Sequence, residues 1–172
     1  HFQNSYLKIA DLLAFAPILR SEPLFANGNE TWYLDGTVSG TLNDLRLRDL
    51  DIRGLSQTSI SVNGDISNLM NPDQLNGSLD IRSLSTTRSD ISRIAPIPEN
   101  ILLPSEIHLN GNITGSMGRV NGRLAMRSSY GGSIISGNFA NLGSPENMEY
   151  NALVQVFDFQ LGSLLGDPQI AG

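Results

Sequence analysis

The sequence predicts a mainly β protein, built on an elongated sheet rich in antiparallel strands, with short helices where repeat units meet. Three observations support this fold class. Apolar and polar residues alternate with a period of two over most of the chain, which is typical of strands with one buried face. Turn-forming residues such as Asn43-Asp44 separate the alternating runs. Similar segments also recur in the same order, from Gly36 to Gly111 at an offset of 75 residues.

Length and composition indicate a folded chain without a nucleic-acid partner. The 172 residues are 40% hydrophobic and 16% charged, which permits a substantial core and argues against disorder. The net charge of −6 is spread along the chain, so no cationic face is expected that could bind phosphates. The absence of cysteine excludes disulfides and thiol nucleophiles. No run of about 18 apolar residues is present, so any membrane anchor or targeting segment is expected outside these residues.

The alternating runs predict about twelve short strands that form hairpins or a meander. The period of two slips by one residue near Asp49. Turns are predicted at the residues that favour them, namely Asn43-Asp44, Asn71-Pro72-Asp73, Asn76-Gly77, Asn121-Gly122 and Gly131-Gly132.

Three stretches break the strand pattern and predict helices. The first covers about residues 5–16, with Tyr6, Leu7 and Leu13 at helical spacing, and the second covers about residues 87–95. A third begins near Leu161. Asp11 and Asp90 stand near the helix starts, where an aspartate typically caps a helix.

The helices and strands follow one another in the same order twice, which predicts three units. Asp11-Leu12 corresponds to Asp90-Ile91, and the strand GTVSGTL at 36–42 corresponds to GNITGSM at 111–117. The predicted units are a first repeat at 1–85, a second at 86–160 and the start of a third at 161–172.

This succession of motifs resembles the TamB and AsmA-like envelope proteins, in particular TamB-like proteins of the Bacteroidetes type. The resemblance covers essentially the whole chain. It is carried by the short helix with an aspartate and a proline, by the strands of the form G-x-[IV]-x-G, and by the segment FDFQLGSLLGDPQIAG at 157–172. It implies an internal fragment of a protein whose sheet curls into an open, β-taco-like trough.

The resemblance also implies a location and a function. Such a protein is anchored in the inner membrane of a Gram-negative cell, crosses the periplasm, conducts phospholipid between the two membranes and supports outer-membrane biogenesis. The residues expected to line the lipid groove are Leu34, Val38, Leu42, Ile60, Val62, Ile66, Leu109, Ile113, Met117, Val154 and Val156. The expected partner is a phospholipid or another acyl-chain lipid. Without the resemblance, apolar alternation is more often the core of a β-sandwich or barrel than a ligand groove, so both readings of the apolar face stay open at this point.

A second function from a different class is a structural or interaction scaffold. The edges of an open sheet could pair with another chain, and an outer-membrane barrel assembly protein is the partner that the resemblance implies.

No pattern in the sequence predicts catalysis, a cofactor or a metal. His1 is terminal, and His108 lies on the polar phase of a strand, where a surface position is expected. The carboxylates of Asp49 with Asp51, and of Asp35 with Glu30, do not follow the spacing of a calcium loop. We therefore expect that the chain is not an enzyme.

Overall fold

The computed structural model describes residues 1–15, 20, 23–25, 28–95, 97, 101–116, 118–141, 145–158, 160 and 162. Nine strands and two α-helices lie within them. In chain order they are β1 (Phe2–Lys8), α1 (Ile9–Phe15), β2 (Thr31–Thr41), β3 (Asp44–Gly54), β4 (Thr58–Ser67), β5 (Asn76–Thr87), α2 (Arg88–Ile94), β6 (Glu106–Ser116), β7 (Arg119–Ser128), β8 (Gly131–Ala140) and β9 (Glu149–Phe157). Short 3-10 turns occupy Pro23–Phe25, Pro72–Gln74 and Pro145–Asn147.

All nine strands form one antiparallel sheet, in which each strand pairs with its neighbours in the sequence. The order runs from β1 to β9 without a crossover, and the sheet is open because β1 and β9 do not pair with each other. Among the described elements, extensive contacts join only neighbouring strands, or a helix and the elements beside it. The predicted fold class, a mainly β, elongated, antiparallel open sheet with short helices, is confirmed.

In a strand, successive side chains point to opposite faces of the sheet, so the alternating sequence places its polar residues on the solvated face. In β6, Ile107, Leu109 and Ile113 are half-buried, whereas His108 and Asn112 are exposed. The predicted number of about twelve strands is wrong for the described residues. Most strands are 10 to 12 residues long, because irregularities that resemble breaks in the sequence pattern lie inside continuous strands.

The phase slip predicted near Asp49 is confirmed as a β-bulge. The register of β3 with β4 shifts between Leu47 and Leu50, and Asp49 has a positive φ of 47°. The bulge lets Leu47 and Leu50 point to the same face although they are three residues apart. A local break in alternation therefore preserves the apolar face.

Three predicted turns are wrong. Gly131-Gly132 begins β8, after a turn at residues 129–130. Asn76-Gly77 begins β5, and Asn121-Gly122 lies inside β7, where it pairs with Thr114 and Ile113 of β6. The dipeptide signal is local, whereas the place of the reversal depends on which strands pair. Gly77 and Gly122 are therefore paired strand residues, and they place no side chain on the sheet.

The first helix begins later than predicted. Residues 2–8 form β1, in which Tyr6 pairs with Tyr33 and Leu7 with Trp32, and α1 starts at Ile9. The second helix is confirmed, since α2 covers Arg88–Ile94. The third predicted helix, near Leu161, lies almost wholly outside the described residues.

The predicted capping role of Asp90 is also wrong. Thr87 is the N-cap of α2, and its side chain accepts a hydrogen bond from the Asp90 amide at 3.4 Å. The Asp90 carboxylate is instead fully buried against the turn between β3 and β4, where it accepts hydrogen bonds from the amides of Ser56 and Gln57. Asp11 lies within the first turn of α1 and is exposed.

The register of β1 with β2 is repeated in the register of β5 with β6. Both pairs contain a shift at the equivalent place, between Phe2 and Ser5 in β1 and between Ile81 and Leu84 in β5. The matching pairs are Phe2 with Gly36 and Ile81 with Gly111, Ser5 with Leu34 and Leu84 with Leu109, and Lys8 with Thr31 and Thr87 with Glu106. The division of the chain at residues 85 and 160 stays a prediction.

Candidate functional site

The largest continuous feature of the molecule is the apolar face of the sheet, which consists of four cross-strand rows. Residues paired across antiparallel strands point to the same side, so each row follows from the register. The first row contains Leu34, Ile52, Ile60, Leu84, Leu109, Met126, Ser133 and Val156, and the second contains Leu50, Val62, Ile81, Gly111, Leu124, Ile135 and Val154. The third contains Val38, Leu47, Gly64, Leu79, Ile113, Gly122, Gly137 and Ala152, and the fourth contains Gly40, Leu45, Ile66, Gly77, Gly115, Val120, Phe139 and Tyr150.

Nine of the eleven residues predicted to line a groove lie on this face, namely Leu34, Val38, Ile60, Val62, Ile66, Leu109, Ile113, Val154 and Val156. Leu42 does not, because it lies in the turn between β2 and β3, where it is 51% exposed. Met117 lies outside the described residues. The structure therefore brings most of the predicted set together on one surface.

Sequence reasoning missed the centre of this face. The buried cluster consists of Leu47, Leu50, Val62 and Ile81, and only Val62 was among the predicted residues. The register shifts in β3 and β5 interrupt the period of two and hide the continuity of these strands. The short alternations Leu45-x-Leu47 and Leu79-x-Ile81 were the available signal.

Burial is graded along the sheet. Leu50 and Val62 are only 5% exposed, whereas Val154 and Val156 on β9 are 56% and 60% exposed. The face is thus buried at β3 to β5 and fully exposed at β9, whereas β8 is intermediate, with Ser133 6% and Ile135 37% exposed.

Glycines on the face allow apolar side chains from more distant strands to touch. Gly111 lies between Ile81 and Leu124 in its row, and Leu124 packs against the buried cluster across it. A Cβ at Gly111 would overlap the carbonyl oxygen of Arg123, and its φ is +145°. Glycine is required there by both the close approach and the backbone conformation.

The dimensions of the face follow from strand geometry. Four rows, about two residues apart along each strand, span about 20 Å, and the eight strands from β2 to β9 at about 4.8 Å spacing span about 34 Å. None of the residues in the four rows is charged. The arrangement can therefore hold long apolar groups, and it offers no fixed charge to a polar headgroup.

The opposite face of the sheet is polar and solvated. Arg48 contacts Asp65 at 2.9 Å, and Arg82 contacts Asp49 at 2.7 Å and Asp51 at 3.8 Å, all with exposed side chains. The pair of carboxylates considered as a possible site, Asp49 and Asp51, is therefore engaged by Arg82.

Two other candidate groups on the described part of the chain, His108 and Glu30, each lie near an oppositely charged partner. His108 is exposed, as predicted, with its Nε2 atom 3.7 Å from Glu106. Glu30 forms an ion pair with Arg93. No group of three His, Cys, Asp or Glu side chains in the described ranges is placed to hold a metal ion.

Comparison of the chain with protein-family models, with curated proteins and with solved structures finds no match. Neither α1 nor α2 is long and apolar enough to cross a membrane, and this holds for every helix in the described ranges.

Proposed function

We propose that this chain is part of a periplasm-spanning envelope protein of the TamB and AsmA-like type, whose apolar face conducts phospholipid between the inner and outer membranes and so supports outer-membrane biogenesis. The full-length protein is anchored in the inner membrane. The observation that carries the proposal is the single open sheet, on which four uncharged rows run in register from β2 or β3 to β9.

The chemistry of the face suits movement of an acyl chain. Burying a methylene group is worth about 0.8 kcal/mol, so several methylenes give a favourable interaction at each position. Because the rows consist of similar apolar side chains, neighbouring positions have similar free energies, and a lipid can pass between them without a large barrier. The charged residues on the opposite face keep that side of the sheet in water.

The accessible end of the face is the place to test for lipid. A photo-crosslinking amino acid at Ile135 or Val154 on the apolar face is expected to capture phospholipid from vesicles or from cells. Asn138 and Gln155 lie on the same two strands with side chains on the opposite face, so they provide matched controls. Equal capture from both faces would contradict the conduit.

We propose the scaffold as a second candidate function, because every residue of β9 is exposed, including Leu153 and Phe157 on the polar side of the sheet. An outer-membrane barrel assembly protein could add a strand to this edge. Leu153→Lys places a charge on this exposed edge while keeping the apolar rows. Under the scaffold hypothesis this variant loses binding to the barrel protein, while lipid capture at Ile135 persists.

Catalysis is not part of the proposed function. The carboxylates at Asp49 and Asp51 contact Arg82, and His108 lies on the solvated face beside Glu106. A search for hydrolysis of phospholipid by the purified chain tests this, with no turnover expected.

A further inference from the structure

One end of the sheet carries a contact between a helix and a β-turn. The helix α2 follows β5, and its Asp90 carboxylate accepts hydrogen bonds from Ser56 N at 3.2 Å, Gln57 N at 2.8 Å and Thr58 Oγ1 at 2.8 Å. These three residues belong to the turn of the β3–β4 hairpin and to the first position of β4. The helix α2, which follows β5, thus holds the turn of the β3–β4 hairpin, which precedes β5.

The end of the described chain shows the same relation. Gln160, which follows β9, donates a backbone hydrogen bond to the Tyr130 carbonyl oxygen at 2.7 Å. Tyr130 lies in the turn of the β7–β8 hairpin, which precedes β9. The β3–β4 turn is therefore held by the helix that follows β5, and the β7–β8 turn is held by the residue that follows β9.

The unit formed by β1 and α1 is the counterpart of β5 and α2. Each helix has seven residues and starts directly after its strand, and each carries an aspartate, Asp11 or Asp90, as its third residue. The strands also share the same register with the strand that follows, including the shift. By this equivalence Asp11 faces the position that a turn occupies beside Asp90.

That position holds no described residue. Asp11 is exposed, whereas Asp90 is fully buried, and no hydrogen bond or ion pair joins Asp11 to the described part of the chain. The outer edge of β1 likewise has no partner strand among the nine. The exposed Asp11 carboxylate and the unpaired outer edge of β1 thus lie next to each other in the described part of the chain.

We propose that the outer edge of β1 and the Asp11 carboxylate together form a docking surface for a β-hairpin of a further repeat unit. The hairpin supplies a strand that pairs antiparallel with β1, two free backbone N–H groups in its turn, and a hydroxyl at the first residue of its second strand. A second copy of the described residues does not offer such a turn. In the β3–β4 hairpin the amides of Ser56 and Gln57 already donate to Asp90, and in the β7–β8 hairpin Tyr130 N donates to Ser128 Oγ and β8 begins with Gly131, which has no hydroxyl. The inference does not depend on the proposed lipid transport.

A synthetic hairpin tests the surface. The peptide has the sequence of residues 44–67, with Asp44 and Ser67, which are cross-strand partners, replaced by cysteines whose disulfide keeps the strands paired. Its fluorescence anisotropy is measured against the purified chain. We expect saturable binding that is at least tenfold weaker for the Asp11→Asn chain and unchanged for Asp73→Asn, an exposed aspartate in the β4–β5 connection.

Changes in the peptide locate the contact. N-methylation at Gln57, or Thr58→Val, removes one donor and is expected to weaken binding to the wild-type chain at least threefold, but not to weaken it further for Asp11→Asn. Circular dichroism of each chain variant and NMR of each peptide verify that both are folded.

Three results would overturn the proposal: no saturable binding of the folded peptide, equal affinity for the wild-type and Asp11→Asn chains, or equal affinity of the N-methylated peptide. Self-association of the chain that Asp11→Asn abolishes would assign the surface to a second copy instead. Lipid capture at Ile135 and Val154 is unaffected by each of these outcomes, so the two proposals fail separately.

Discussion

At the scale of single residues, Asp90 joins parts of the chain that are far apart in sequence. Its carboxylate connects α2 to a turn 32 to 34 residues earlier through three hydrogen bonds, and Arg93 Nη1 lies 3.9 Å from it. Because the carboxylate is fully buried, all three donors share one acceptor inside the contact between the helix and the turn. The connection between the helix and the sheet therefore depends strongly on one side chain.

We predict that Asp90→Ala lowers the free energy of unfolding by about 3 kcal/mol, because it removes a fully buried charged acceptor from three hydrogen bonds at once. Urea denaturation followed by circular dichroism measures the change. Asp73→Asn is the control and should stay within about 0.5 kcal/mol, since this side chain is exposed. An equal effect of both substitutions would show that the buried hydrogen bonds contribute little.

Gly111 gives a second prediction at this scale. Gly111→Ala forces a Cβ against the Arg123 carbonyl oxygen in a backbone with a positive φ, so we expect a loss of about 3 kcal/mol or more. Gly118→Ala is the matched control, because no atom lies within 4 Å of the added Cβ. Thermal melts of the two variants should differ by several degrees. Similar melting temperatures would contradict the close packing at Gly111.

The sequence could reveal some of these residues and not others. The bulge at Asp49 was predictable, because a bulge shifts a local alternation and leaves a visible phase slip. The role of Asp90 was not predictable in the same way, since its partners at Ser56 and Gln57 become neighbours only when β3, β4 and β5 pair. Local signals identify local geometry, whereas a long-range hydrogen bond requires the topology.

At the scale of elements, the two edges of the sheet differ. The strand β1 is short, contains a register shift and leads directly into α1, whereas β9 is nine residues long and fully exposed. Exposed apolar side chains stand on both sides of β9, including Tyr150 and Val154 on one and Leu153 on the other. A long apolar edge of this kind favours pairing with another strand.

We predict that the isolated chain self-associates through β9. Leu153→Lys places a charge on the polar side of this edge and should weaken association at least tenfold, without disturbing the apolar rows. Sedimentation velocity over a range of concentrations measures it. Met70→Lys, which changes an equally exposed apolar residue outside the strands, should leave association unchanged. Association that persists in Leu153→Lys would place the contact elsewhere.

The boundary between β1 and α1 shows why element limits were only partly predictable. Tyr6 and Leu7 fall at helical spacing with Leu13, yet both pair with β2 as part of a strand. A seven-residue strand followed at once by a seven-residue helix gives too few turns for either period to dominate the sequence pattern. The second helix was easier to recognise, because Pro96 limits its end.

At the scale of the whole molecule, the apolar face changes from a closed core to an open surface. Val62 is buried at the centre of the sheet, whereas Val156 is exposed on the edge strand β9, so burial is not uniform along this face. Composition and alternation could predict the single face. They could not predict its gradient, because exposure depends on how the neighbouring side chains and glycines pack.

A pair of substitutions on this face tests the gradient. We predict that Val62→Glu, in the closed part, costs several kcal/mol and unfolds the chain, because a carboxylate is buried without a partner. Val156→Glu, in the open part, should keep a melting temperature near that of the wild type and lose lipid capture at Val154. Differential scanning calorimetry and the crosslinking assay provide the two readings. Unfolding of both variants would mean that the β9 end is also a sealed core.

The consecutive order of the strands has a consequence for folding. Every described strand pairs only with its neighbours in sequence, so most steps of assembly close a short loop and cost little chain entropy, the longer connections being those that contain α1 and α2. The sheet can nucleate at any hairpin and grow in both directions, as in repeat proteins. Hydrogen exchange should then be slowest for the amides of β3 to β5, around the buried cluster, and become faster toward β9. A chain of this topology can begin to fold before its last residues are synthesised.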